Sequence, residues 1–249
     1  MPFTNTKENG LESLIVKWLV EQNGYEEGTN ADYNKEYAVD ETRLFRFLQD
    51  TQPKEMTKLG VFTSETKKRQ FLNRLSGEIA KRGIIDVLRN GVKVYPADLI
   101  MFYLTPTENN QQARIMYEKN IFSVTRQDAG KLALDVCLFI NGLPVITMEL
   151  KNQLTKQNTE NAVRQYKEDR DFHDLLFSFK RCMVHFAVDD ATIQFCTKLA
   201  GKDSWFLPFN KGYNDGAGNP PNPDGLMTDY LWKDILTKRK LSRIIENYA

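Results

Sequence analysis

Hydrophobic positions along this chain follow two periods in succession. In residues 11–22, LESLIVKWLVEQ, the side chains Leu11, Leu14, Ile15, Trp18 and Leu19 recur at helical spacing. Gly24 follows where a helix would end. Residues 40–50 read as a second short helix. Residues 65–81 predict a third, with Phe71, Leu72, Leu75 and Ile79 on one face and Gly83 just past its end. The period then shortens. Residues 92–104, VKVYPADLIMFYL, and 120–127, NIFSVTRQ, are rich in β-branched and aromatic residues and predict strands. Residues 134–152, LDVCLFINGLPVITMELKN, place two apolar runs around Asn141-Gly142, the pattern of a hairpin. A helix is expected over 157–170, with Ala162, Val163 and Tyr166 as its less polar stripe. CMVHFAVDD and TIQFCT predict a further hairpin. Residues 207–225 are loop by composition, crowded with Gly, Pro, Asn and Asp, and a last helical region starts near Thr228. The class is α/β: helices, then a mixed sheet of about four to six strands flanked by helices, then helices again.

The first hairpin carries charges that its core-like pattern does not explain. Asp135 lies in apolar company, and the second strand ends in Glu149-Leu150-Lys151. A carboxylate inside a buried strand is costly unless it is paired or bound to a metal. Strand alternation puts Val145, Thr147, Glu149 and Lys151 on one face, and Ile146, Met148 and Leu150 on the other. Register decides whether Asp135 joins Glu149. A plain two-residue type I′ turn at Asn141-Gly142 would set Asp135 opposite Met148, on the wrong face. A bulged loop with Gly142 left-handed would set it opposite Thr147, with Glu149 its diagonal neighbour. A loop one residue further along also brings the two acids to one face. The bulged or odd-loop register is the expectation here.

In that register two carboxylates converge beside an ammonium. Hard oxygen ligands of this kind suit Mg²⁺, and the carbonyl of Leu150 would add a third protein donor. Asp135, Glu149 and Lys151 are then the candidate catalytic residues, with Lys151 orienting a metal-bound water or stabilising charge on phosphorus. The chemistry suggested is phosphodiester hydrolysis. The bland alternative is a strand end with an ordinary Glu–Lys pair and a solvated Asp.

Composition narrows the field without deciding it. The 249 residues allow one large domain or two small ones, and a hydrophobic fraction of 41% supports a sizeable core. A formal net charge of +1 neither demands nor excludes a polyanionic partner. Cys137, Cys182 and Cys196 are odd in number and widely spaced, which argues against disulfides or a zinc site. The first residues, MPFTNTKENG, form no signal peptide, and no apolar run approaches the ~18 residues of a membrane span. A cytoplasmic protein with no membrane partner is expected. The chain stops inside a helical pattern, as a piece of a longer protein would.

The hairpin resembles the PD-(D/E)xK nuclease core, and its wording is similar to the nuclease segment of the R subunit of type I restriction enzymes. LESLIVKWLVEQNGYEEG, HFAVDD, FLPFNKGYNDGAGNPPNP and TDYLWKDIL resemble further stretches of that family. The resemblance implies a restriction-endonuclease-like domain over 1–200 and a loop and helical extension over 201–249 leading to a helicase motor outside this chain. It implies Asp135 and Glu149 as Mg²⁺ ligands and Lys151 as the residue assisting water. Glu12 matches the first-helix acid that often supports the metal. Tyr166 fits the tyrosine of the family's Q-x-x-x-Y signature, but Ala162 stands at its glutamine position, and Gln165 precedes the tyrosine instead.

The resemblance also implies double-stranded DNA as substrate, cut after ATP-driven translocation, with modification (methyltransferase) and specificity subunits as partners. ATP belongs to the full-length subunit, because this chain has no G-x-x-x-x-G-K-[ST] loop and AGKDS (200–204) lacks its spacing. Lys67, Arg74 and Lys81 recur at heptad spacing and form a stripe that would track phosphates or simply face solvent. Arg164, Lys167 and Arg170 are further candidates for DNA contact, with acids interleaved. A non-catalytic DNA-binding or scaffolding module of the same fold is the alternative function, and a stand-alone nuclease a third. His185 reads as core.

Overall fold

A computed structural model describes residues 9–107, 109–126, 134–152, 156–171 and 173–248. The chain opens with helix α1 (Asn9–Glu21), then strand β1 (Glu26–Gly28) and the two-residue strands β2 (Tyr33–Asn34) and β3 (Val39–Asp40). Helix α2 (Glu41–Thr51) starts where Asp40 caps it by accepting from Arg43 N at 3.0 Å. Helices α3 (Pro53–Leu59), α4 (Glu65–Arg82) and α5 (Ile84–Asn90) follow. Ser64 caps α4, and Gly60, at φ +64°, ends α3.

The stretch 92–104 is not one strand. Tyr95-Pro96 turns it into a small hairpin of its own, β4 (Val92–Val94) and β5 (Ala97–Leu99), outside the main sheet. Proline has no N–H to donate to a sheet ladder and its fixed φ suits a turn, which disfavours a continuous strand there. Helix α6 (Gln111–Glu118) precedes β6 (Phe122–Thr125), β7 (Val136–Ile140) and β8 (Leu143–Leu150). The expected helix over 157–170 is present as α7 (Thr159–Arg164) continued by a π-helical turn over Gln165–Asp169. β9 (Val184–Val188), β10 (Ile193–Cys196) and the short β11 (Leu207–Pro208) complete the strands. A second π-helical turn (Leu231–Ile235) and α8 (Lys238–Asn247) end the described chain.

The main sheet has seven strands in the order β1-β6-β7-β8-β9-β10-β11. β1 with β6 and β8 with β9 are parallel, and the other neighbours are antiparallel. Every residue of β7, β8 and β9 is buried, so both faces of the sheet centre are covered. One face joins the larger core, where Leu138, Ile146 and Met148 pack with Ile15, Leu44, Phe71, Val87 and Trp232. The other face holds a smaller cluster of Cys137, Phe139, Tyr166, Phe177 and Leu199 beneath α7. Residues 201–249 contribute Tyr230, Leu231, Trp232, Leu236, Leu241 and Ile245 to the larger core. The three cysteines are free and buried. Among the described residues no helix is long and apolar enough to cross a membrane.

The hairpin register combines two of the geometries that the sequence left open. Asn141 and Gly142 have φ of +51° and +79°, and Ile140 pairs with Leu143, so the turn itself is the plain two-residue kind. The register then slips between Leu138 and Phe139: Phe139 faces Pro144, but Leu138 faces Ile146. Val145 is the extra residue of a bulge. It packs in the larger core with Ile146, Met148 and Leu150, and not on the face of Glu149 where strict alternation put it.

Candidate active site

The bulge sets Val136 opposite Met148, and this register carried one position further puts Asp135 across from Glu149. The chain bends at Asp135, and Asp135 Oδ2 accepts a hydrogen bond from Leu150 N at 2.6 Å. That bond fixes the carboxylate beside the end of β8. Lys151 follows directly, its backbone N–H donating to Val188 O at 2.8 Å and its side chain only 9% exposed. The structure therefore brings Asp135, Glu149, Lys151 and the main chain of Leu150 to one strand end.

Glu149 is the most constrained of these groups. It is 0% exposed, and its Oε1 accepts from Arg170 Nε at 2.6 Å. Its Oε2 is buried and accepts no hydrogen bond among the described residues. Burial pushes its pKa up to about 8, and the negative charge of Asp135 adds to the rise. Arg170 and Lys151 act in the opposite direction. An unsatisfied, desolvated carboxylate oxygen next to a second carboxylate is an arrangement that a divalent cation would complete. Among the described residues no group of three or more His, Cys, Asp or Glu side chains is placed to hold a metal. The donors that fit are two carboxylates and a main-chain carbonyl, a set that leaves most positions of an octahedral Mg²⁺ to water.

Beneath Glu149 on the same face lies a buried polar chain. Thr147 Oγ1 is 2.8 Å from Tyr166 Oη and 2.7 Å from His185 Nδ1. Tyr166 packs edge-on against Phe177 and His185. Burial, with the Glu149 charge next in order, holds its phenol well above the usual range, so it stays protonated. His185 is core, as expected, and burial pushes its pKa down to about 3. Gln165 is half-buried at the start of the π-helical turn, where its carbonyl accepts from Arg170 N at 3.1 Å.

The remaining candidates have the following partners and exposure. Glu12 on α1 is 3.6 Å from Arg126, which also pairs with Glu27 at 3.3 Å. Lys67, Arg74 and Lys81 are exposed along α4, and Arg74 is paired with Glu78 at 3.0 Å. Arg164 is exposed on α7. Arg170 is turned inward at 7% exposure, so its expected place on a DNA-facing surface is corrected. Sequence reasoning missed its pairing with Glu149. The available signal was its position four residues after Tyr166, which sets both on one side of a helical segment.

Residues 5–204 match the family described as type I restriction enzyme R protein N terminus. The chain belongs to that family. The seven-stranded mixed sheet flanked by helices agrees with a restriction-endonuclease-like fold. The span shared with the R-protein N-terminal family contains Asp135, Glu149, Lys151 and Arg170 and closes at Ser204. A search of curated proteins finds no match.

Proposed function

We propose that this R-protein N-terminal domain is a Mg²⁺-dependent endonuclease that hydrolyses phosphodiester bonds of double-stranded DNA. The single observation that carries the reading is the bulge at Val145, which sets Asp135 across from Glu149 at the mouth of the Lys151 strand end. Asp135, Glu149 and the Leu150 carbonyl would hold the cation. When bound, the cation activates a water and neutralises charge on a phosphate oxygen. Asp135 is oriented for its part by the Leu150 N–H. Glu149 keeps Oε2 open while Arg170 holds Oε1. Lys151 supplies positive charge where negative charge grows on the phosphate in the transition state. Tyr166 and Thr147 brace the face from which Glu149 projects. The domain works without base readout of its own, within a type I complex whose motor, modification and specificity functions lie outside this chain.

The test is cleavage by the assembled restriction complex. Asp135→Ala, Glu149→Ala and Lys151→Ala should each abolish cutting of plasmid DNA while leaving ATP hydrolysis intact. Cutting at the wild-type rate in any of the three would remove that residue from the mechanism and overturn the reading.

A further inference from the structure

Arg170 touches none of the reacting groups in the chemistry above, yet it holds the most buried acid of the site. Its Nε lies 2.6 Å from Glu149 Oε1, with the two side chains 5% and 0% exposed. The contact is asymmetric. One carboxylate oxygen is taken by a charged donor, and the other, Oε2, is buried without a hydrogen-bond partner among the described residues. A carboxylate held this way cannot rotate freely, and one of its oxygens is already engaged by a charged donor.

We infer that Arg170 is a positioning residue that reserves Oε1 of Glu149, so that the carboxylate meets the divalent cation through Oε2 alone. The inference rests on the nuclease reading above and specifies how its cation is held. The local backbone supports it. The α-helix of residues 159–164 widens into a π-helical turn over 165–169, closed by Arg170 N donating to Gln165 O at 3.1 Å. A π turn adds a residue to the helical circuit and re-aims the side chains that follow it. Here Tyr166 and Arg170 both end up buried, Tyr166 on Thr147 and Arg170 on Glu149, two residues apart on the same face of β8. The helix therefore grips the catalytic strand at two successive inward positions. A guanidinium suits this place better than an ammonium: it stays charged, and its planar donors fix the plane of the carboxylate. Outer partners that orient a metal ligand typically contribute 10–100-fold to metal affinity.

Calorimetric titration of the 249-residue chain with Mn²⁺ tests this, using the wild type, Asp135→Asn, Arg170→Gln and Arg170→Lys. Circular dichroism and thermal unfolding confirm that each variant folds. Binding of one ion by the wild type, lost in Asp135→Asn, supports the nuclease reading. Against that background Arg170→Gln should weaken Mn²⁺ binding about tenfold or more. Arg170→Lys keeps the charge but not the planar donor, and should fall between the two. It carries the test alone if Arg170→Gln does not fold. Infrared difference spectra on Mn²⁺ addition should show a monodentate carboxylate splitting in the wild type that narrows in the Arg170 variants. Wild-type or tighter affinity in the folded Arg170 variants would overturn the positioning role and leave the nuclease reading standing. Equal, absent binding in the wild type and Asp135→Asn would overturn both.

Discussion

At the scale of single residues, this face of the sheet holds two buried groups whose protonation opposes each other. Glu149 has a folded pKa near 8, above the ordinary carboxylate value, so the folded state binds its proton more tightly than the unfolded chain. Its contribution to stability is full at low pH and declines as pH rises towards 8. His185 is depressed to about 3, so the unfolded chain takes the proton first, and stability is lost as pH falls below about 6.5. Between pH 6.5 and 8 only the Glu149 slope remains. Denaturant unfolding of the cation-free chain should therefore show stability falling over that window, and Glu149→Gln should flatten it. A wild-type profile that rises over the same window would contradict the burial assigned to Glu149. Thr147→Val removes the shared partner of Tyr166 and His185 and should cost about 1–3 kcal/mol, since it leaves buried polar groups unsatisfied.

Among the elements, the β7–β8 hairpin decides the site. Its turn is itself buried. Asn141 Nδ2 donates to Met101 O and to Asn120 Oδ1, each at 2.9 Å, and Asn141 Oδ1 accepts from Ile121 N at 2.7 Å. Asn tolerates its left-handed φ and supplies the polar partners that a buried turn needs. Gly142 has no such latitude. At φ +79° a Cβ would run into the Asp40 carbonyl and the backbone and side chain of Leu44. Gly142→Ala should destabilise the fold by at least about 1–3 kcal/mol from overpacking alone, as measured by chemical denaturation. A neutral result would mean that the turn stands away from α2.

For the whole molecule, the C-terminal segment is bound into the larger core. Trp232 is fully buried, Asn23 Nδ2 donates to Trp232 O at 2.7 Å, and Tyr25 Oη donates to Leu236 O at 3.0 Å. The shared family span ends at residue 204, but the packing does not. Trp232→Ala should cost about 3–5 kcal/mol, and a chain cut after Ser204 should lose cooperative thermal unfolding. A truncated chain melting as the full one does would show that the first 204 residues fold without the later helices.

Local sequence determined the element types and pointed to the three polar residues proposed to carry the chemistry. Helical spacing marks α1, α2 and α4, the Asn-Gly pair marks the hairpin, and E-x-K marks the strand end. These signals depend on neighbours within a few positions, which a sequence displays directly. Short elements such as α3, α5, α6 and β1 carry too few periods to stand out and form because the surrounding core accepts them. The facing of Asp135 and Glu149 was open in the sequence, since a one-residue slip reverses every face of a strand. Only the tertiary structure settled it, by fixing the turn through Asp40, Leu44 and Met101 and absorbing Val145 into the core as a bulge. The Arg170–Glu149 contact was equally out of reach. It joins residues from separate elements, and a crossover between parallel strands fixes their distance, not any local pattern.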